Sequence, residues 1–345
     1  MSYLPSKAAR GLLRLLTSLA FIPLAFNISG AHALAQQTSV GPSPPAASAA
    51  PTQQREDAGA VVFSVTVTNN RGGYVTGLDK SNFSVLEDKA PQEITYFKGQ
   101  DEPVSVGIIL DVSRSMFDPR MRELMKTLFN EAILRFIQQG NRSNEYFLIG
   151  FNERPQLMAD WTNDIKEINA ALAKIGAVGP KGHSTAFYDA CYLGAEKLAR
   201  SRHPKRAMIL ISDGQDNASQ YTFKELRQLV RESDMLVYAV GLSSAPDWST
   251  LGLQGKGILD ELAMSGGGVS LYPEKSSEVR HAFNLIAAEL RHQYSIGFKP
   301  PARHPADREW HRIKIKLNLA ADAPPELRHL SVRSREGYYA NANRR

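Results

Sequence analysis

Cysteine is nearly absent. Cys191 is the only thiol in 345 residues, so no intramolecular disulfide can form and stability must come from core packing. The motifs of hydrolytic and phosphoryl-transfer chemistry are missing too: there is no H-E-x-x-H, no G-x-x-x-x-G-K-[ST] and no G-x-S-x-G. No RNA- or DNA-binding motif occurs either. Beyond residue 26 no apolar run approaches the ~20 residues that a membrane-spanning helix needs. What is present is an ordinary globular composition, 43% hydrophobic and 22% charged, which excludes a wholly disordered or collagen-like chain.

Charge of one sign is in modest excess, with 41 Lys and Arg against 35 Asp and Glu, net +6. Part of this excess sits in a targeting pattern. Lys7, Arg10 and Arg14 precede an uncharged apolar stretch at 15–26, and Ala31, Ala33 and Ala35 follow, which is the layout of a secretory signal peptide cut after Ala35. An uncleaved anchor is the alternative, but the run is short and Pro23 interrupts it. Residues 1–35 are therefore read as a signal peptide, and export to the periplasm or the cell exterior is expected. Its removal leaves 38 basic against 35 acidic residues. Arg291 onward holds 12 basic and 5 acidic residues, while 36–290 holds 26 and 30. That basic flank suits an acidic glycan, lipid head group or protein, with solvated strand-edge cations as the plainer alternative.

Residues 36–57 are rich in Pro, Ala, Ser, Gln and Thr and read as a flexible linker. At 58–102 the pattern becomes that of a β segment: Val61, Phe63, Val65 and Val67 alternate with small or polar residues, and 83–88 and 93–97 read as further strands. From 103 to 292 continuous apolar runs (104–110, 146–151, 207–211, 236–240 and a shorter one at 269–272) alternate with helical stretches at 120–138, 164–175, 188–199, 223–233, 259–264 and 277–292. Strands apolar on both faces that alternate with helices imply an α/β fold, an open, doubly wound, mostly parallel sheet. Alternation returns at 293–340, through Tyr294, Ile296 and Phe298, then Ile313, Ile315, Leu317 and Leu319, then Leu330, Val332 and 338–340. Neither flank has enough strands to be stable alone, so the two are expected to pack together as one small β-sandwich-like domain.

In open α/β sheets, ligands bind beyond the carboxyl ends of the strands. Three segments carry oxygen ligands to that edge. The first apolar strand ends in Asp111-Val112-Ser113-Arg114-Ser115, and the strand 207–211 ends in Ser212-Asp213-Gly214. Between them a loop with His183, Ser184 and Thr185 leads into a helix. Two carboxylates and three hydroxyls suit a hard divalent cation such as Mg²⁺, with Mn²⁺ or Ca²⁺ as alternatives. Plainer readings exist for each piece: Ser113, Ser115 or Thr185 as helix caps, Asp213-Gly214 as a turn, His183 as a solvated loop residue, and Cys191 as a small core residue.

Taken together and in order, D-x-S-x-S, the G-x-S-T-x-x-Y-D-A context of Thr185 and S-D-G resemble the von Willebrand factor type A domain with its metal-ion-dependent adhesion site. The flanks, with Val75-Thr76-Gly77-Leu78 before Phe83 to Asp88, resemble exported bacterial proteins that carry this domain between β segments. The resemblance implies metal ligation by Asp111, Ser113, Ser115, Thr185 and Asp213, and a protein partner that supplies an exposed Asp or Glu to complete the shell. Asp189 and Asp216 lie close by in sequence and are expected to orient these loops. The expected function is thus a binding module, not an enzyme. A structural envelope component with a fold-stabilising ion, or a metal-assisted hydrolase, are the alternatives, and nucleic acid is not expected as a partner.

Overall fold

The computed structural model describes residues 60–178, 184–243, 249–301, 309–319 and 329–339. The expected signal peptide, the linker, His183 and the end of the last strand at 340 lie outside them. All the described residues belong to one compact unit, Ala50–Arg345. Among them no helix is long and apolar enough to cross a membrane.

The strands are β1 (Val61–Thr68), β2 (Phe83–Glu87), β3 (Ala90–Gln92), β4 (Tyr96–Lys98), β5 (Val104–Asp111), β6 (Glu145–Phe151), β7 (Pro155–Thr162), β8 (Lys205–Ser212), β9 (Met235–Gly241), β10 (Ser270–Leu271), β11 (Tyr294–Phe298), β12 (Trp310–Leu317), β13 (Ser331–Arg333) and β14 (Gly337–Tyr339). The helices are α1 (Arg122–Thr127), which runs through a π-helical turn at Leu128–Ala132 into α2 (Ile133–Gln139), then α3 (Ile165–Val178), α4 (Phe187–Ala199), α5 (Phe223–Glu232), α6 (Thr250–Ser265) and α7 (Ser276–His292).

The central sheet has the order β10-β9-β8-β5-β6-β7, parallel except for β7. Its inner strands are apolar on both faces because helices cover both. Strand alternation sorts the residues into two cores. Val106, Ile108 and Leu110 of β5 join Ala207, Ile209 and Ile211 of β8 under α1, α2, α3 and α7, whereas Ile109, Met208 and Leu210 pack under α4, α5 and α6. Cys191 is buried in the second core, as expected for a small apolar side chain, and burial raises its thiol pKa. The fold is therefore the open, mostly parallel α/β sheet that the sequence implied.

The two flanks interleave. One sheet has the order β13-β1-β11-β4 and the other β14-β12-β2-β3, so each draws strands from before and after the α/β region. Between them a third core gathers Phe63, Val65, Phe83, Val85, Ile296, Phe298, Ile313, Ile315 and Tyr338, with Phe63 and Phe298 stacked 6.3 Å apart.

Four sequence expectations are corrected. The stretch 93–97 is not one strand: β3 and β4 belong to opposite sheets, and the chain crosses between them at Ile94, which is buried in the third core. β7 was not expected, because as an edge strand it has no apolar run. The helix expected at 259–264 begins at Thr250, where Ser249 caps the Gly252 amide. Finally, 120–138 is not a uniform α-helix but contains the π-helical turn.

Where α7 meets the β strands, buried polar groups form a hydrogen-bonded network in which the Gln293 Oε1 alone lacks a partner among the described residues. Glu289 accepts hydrogen bonds from Tyr238 (2.8 Å), Thr66 (3.3 Å) and Gln293 (3.1 Å), and its second oxygen pairs with Arg333 at 2.5 Å. Nearby, Arg335 is buried over the Phe63 ring and pairs with Asp234 at 2.6 Å. Lys205, at the start of β8, donates to the Leu290 carbonyl at 2.6 Å; burial pulls its ammonium pKa down to about 8, against smaller opposing pulls from Glu102, Glu289 and Asp101.

Candidate metal-binding site

β5 and β8 are parallel neighbours in register to Leu110 and Ile211, so their carboxyl ends emerge side by side. Asp111 closes β5 and is fully buried; Asp213 follows β8 by one residue and is 7% exposed. Neither forms an ion pair with a described residue. Asp111 is held from both sides. The Ser113 amide donates to Oδ1 at 2.9 Å and the Ser212 hydroxyl to Oδ2 at 2.8 Å. Ser212 in turn accepts the Gly214 amide at 3.0 Å, which fixes the start of the next loop. The sequence reading did not assign Ser212 a role, although it stands inside the S-D-G triplet.

The two serines do not act as caps. Ser113 precedes the 3₁₀ turn Arg114–Phe117 without a side-chain cap bond, and its hydroxyl lies 3.1 Å from that of Ser115. Both hydroxyls are thus grouped beside the two carboxylates. Thr185 does not cap α4 either, since the N-cap position is Ala186. Instead its amide donates to the Asn217 side chain at 2.7 Å, and its carbonyl accepts the amides of Asn217 and Ala218 at 3.0 and 3.1 Å. These bonds tie Thr185 to the loop that begins with Asp213. Asn217 is a second residue whose part was not read from the sequence, because the contact spans 32 positions.

Asp189 and Asp216 complete the scaffold. Asp216 accepts the Tyr188 amide at 3.2 Å and the Ser219 hydroxyl at 2.5 Å, and Asp189 accepts the amides of Gln220 and Tyr221. The loop 213–221 is thereby stapled to the first turn of α4.

Glycine fixes the third wall. Gly214 has φ +76°, a left-handed conformation, and a Cβ there would stand 2.4 Å from the Gly255 carbonyl oxygen. A Cβ on Gly255 would stand 2.0 Å from the Asp213 carbonyl oxygen. Only this pair of glycines lets α6 close on the loop that carries Asp213.

Electrostatics follow from burial. Desolvation first, and the Asp213 carboxylate second, push the Asp111 carboxyl well above its ordinary pKa, and the bonds from Ser113 and Ser212 offset part of this. Desolvation likewise raises Asp213, against the Gln215 amide and the Ser115 hydroxyl. Two buried carboxyl groups that face each other without a cation need either protons or a bound positive charge. The oxygen donors gathered beside them fit a hard divalent ion, which takes about six oxygen ligands. Among the described residues, this site included, there is no group of three or more His, Cys, Asp and Glu that could hold a metal; here the carboxylates are two and the other oxygen donors are hydroxyls.

Residues 105–257 match the family model of the von Willebrand factor type A domain. Solved structures that match part of the chain include the conserved hypothetical protein BatB from Bacteroides thetaiotaomicron, 20% identical, with 54% of this chain and 97% of that chain covered at a TM-score of 0.42. The von Willebrand factor type A protein from Catenulispora acidiphila is 12% identical, with 81% and 73% covered and a TM-score of 0.45. The domain of the type V pili tip protein Mfa5 from Porphyromonas gingivalis is 12% identical, with 55% and 95% covered and a TM-score of 0.43. No curated protein matches the chain. Within the matched residues, all five positions named from the sequence stand at the carboxyl edge: Asp111 as the last residue of β5, Ser113 and Ser115 just after it, Thr185 before α4, and Asp213 after β8.

Proposed function

We propose that this protein is an exported binding module in which a Mg²⁺-type cation, held by Asp111, Ser113, Ser115, Thr185 and Asp213, captures an exposed Asp or Glu of a partner protein. The observation that carries the reading is the pair of buried carboxylates with hydroxyls on two sides and no protein cation. Two negative charges neutralise a divalent ion only formally, and most of the other donors are neutral hydroxyls. The ion therefore keeps its attraction for one further anionic ligand. An acidic side chain from outside supplies it, so that affinity arises from a charge-assisted contact in a partly desolvated place.

Capture should require the ion. Partner protein from the native envelope is expected to be retained by the wild type in Mg²⁺, released by chelator, and not retained by Asp111→Ala in either condition. Retention of equal strength without divalent ions would overturn the proposal. A melting curve of Asp111→Ala, expected to stay cooperative, separates loss of binding from loss of fold.

A further inference from the structure

The basic excess of the carboxyl-terminal flank is concentrated on one face of one strand. Along β12, His311, Ile313 and Ile315 point inward and are buried, while Arg312, Lys314 and Lys316 point outward and are exposed. Lysines on edge strands ordinarily guard against pairing with another chain. β12 is hydrogen-bonded to β2 along Ile313–Leu317 and to β14 at Trp310–Arg312, so Arg312 stands between two strands while Lys314 and Lys316 lie beyond the β14 pairing. Lysine is also disfavoured in strands, so propensity does not account for the row, and edge protection does not account for Arg312.

Neighbouring residues do not neutralise it. Opposite Lys314 stands Leu86, opposite Lys316 stands Ser84, and opposite Arg312 on β14 stands Gly337. Asp88, at the turn after β2, gives its carboxylate to the Arg312 amide and the His311 ring. None of the three cationic side chains forms an ion pair with a described residue. Alternate residues of a strand are about 6.8 Å apart, so the three charges form a row of about 14 Å. The same face carries apolar and aromatic groups: Trp310 and Tyr339 pair edge to face with centroids 5.0 Å apart, and Leu86 lies opposite the exposed Pro91 of β3.

We propose that the outer face of the β14-β12-β2-β3 sheet docks on the surface of an anionic lipid bilayer, with Arg312, Lys314 and Lys316 over the phosphates and Trp310 and Tyr339 at head-group depth. A soluble polyanion would use only the cations. A lipid surface uses the whole face, because Trp and Tyr settle at the interface and lysine stems lie along apolar groups while their ammonium ends reach the phosphates. Each cation near such a surface strengthens attachment about fivefold. This surface is separate from the carboxyl-edge site and does not depend on the function proposed for it.

Cosedimentation of the full chain with vesicles tests the assignment. Vesicles of mixed phosphatidylglycerol and phosphatidylcholine are expected to bind the protein, and vesicles of phosphatidylcholine alone are not. Lys314→Gln combined with Lys316→Gln should weaken binding about thirtyfold without moving the melting temperature, since both side chains are exposed. Trp310→Phe should weaken it further, and high salt should release the wild type. Equal binding by the wild type and the double variant would overturn the proposal. So would an absence of vesicle binding together with cation-dependent binding of inorganic polyphosphate, which would make the face a receptor for a soluble polyanion.

Discussion

At the junction of α7 with the β strands, the buried carboxylate of Glu289 receives three neutral donors and the guanidinium of Arg333. At the carboxyl edge of the central sheet, Asp111 and Asp213 are just as deeply placed, yet they face each other with hydroxyls and amides but no cation. The two clusters have similar burial and opposite completeness. The first balances its charge internally, which suits a structural joint. The second leaves a negative surplus that has value only when a cation from outside arrives, which suits a binding site.

Breaking the complete cluster should give the largest effect. Glu289→Ala removes the acceptor for Tyr238, Thr66 and Gln293 and leaves Arg333 without its counter-charge, so a loss of about 3 kcal/mol is expected in chemical unfolding. That is the low end of the range for buried pairs, because the Arg333 side chain keeps 33% of its surface in water. A variant that unfolds at the wild-type denaturant midpoint would show that the network is not a joint at all.

Lys205 sharpens the comparison by pH. It is a buried cation at the same junction, and its folded pKa of about 8 lies below the ordinary 10.5. Between those values the unfolded chain binds a proton that the folded chain does not, so stability rises with pH across roughly 8 to 10. The full linkage amounts to about 3 kcal/mol, of which the part below pH 10 is measurable before tyrosine ionisation intervenes. Lys205→Met should flatten the rise and stabilise the protein at pH 7, less the lost bond to the Leu290 carbonyl. A wild type whose stability is level from pH 8 to 10 would contradict the assignment.

The two clusters also differed in how far they could be read from the sequence. β5, β8 and β9 announced themselves as continuous apolar runs because helices cover both faces, and D-x-S-x-S and S-D-G placed Asp111 and Asp213 at the strand ends that a parallel sheet exposes. Ser212 and Asn217 stayed silent because their importance lies in hydrogen bonds across 101 and 32 positions, which no local pattern records. The first turns of α6 were hidden for another reason. Gly252, Gly255 and Gly257 argue against a helix by propensity, yet Gly255 is what lets the helix touch the Asp213 loop. Glu289 reads as the polar face of an amphipathic helix, and only the return of β1 and β13 against α7 buries it. The pairing of β14 with Trp310–Arg312 was equally illegible, and it is what places Arg312 inside the sheet, at the head of the row that Lys314 and Lys316 continue.

The smallest and most discriminating effect should come from Asp213→Asn. The amide keeps an oxygen to accept the Gln215 backbone amide, now at 3.1 Å from the carboxylate, but removes one of the two confronting charges. In chelator at neutral pH the variant is expected to be more stable than the wild type, by of order 1 kcal/mol. Because both carboxyl pKa values are raised in the folded state, the folded chain binds more protons than the unfolded one just above the ordinary carboxylate range, and metal-free wild-type stability should fall as pH rises through the raised values. Asp213→Asn should soften that fall. Addition of Mg²⁺ should reverse the ranking, since an ion at 100 times its dissociation constant stabilises the wild type by about 2.7 kcal/mol and leaves the variant almost unmoved. A substitution that stabilises the empty protein and abolishes its response to the ion would mark these charges as kept for binding at a cost to the fold. If Asp213→Asn instead destabilises the chelated protein as Glu289→Ala does, the two clusters are alike, and the carboxyl edge is a structural joint too.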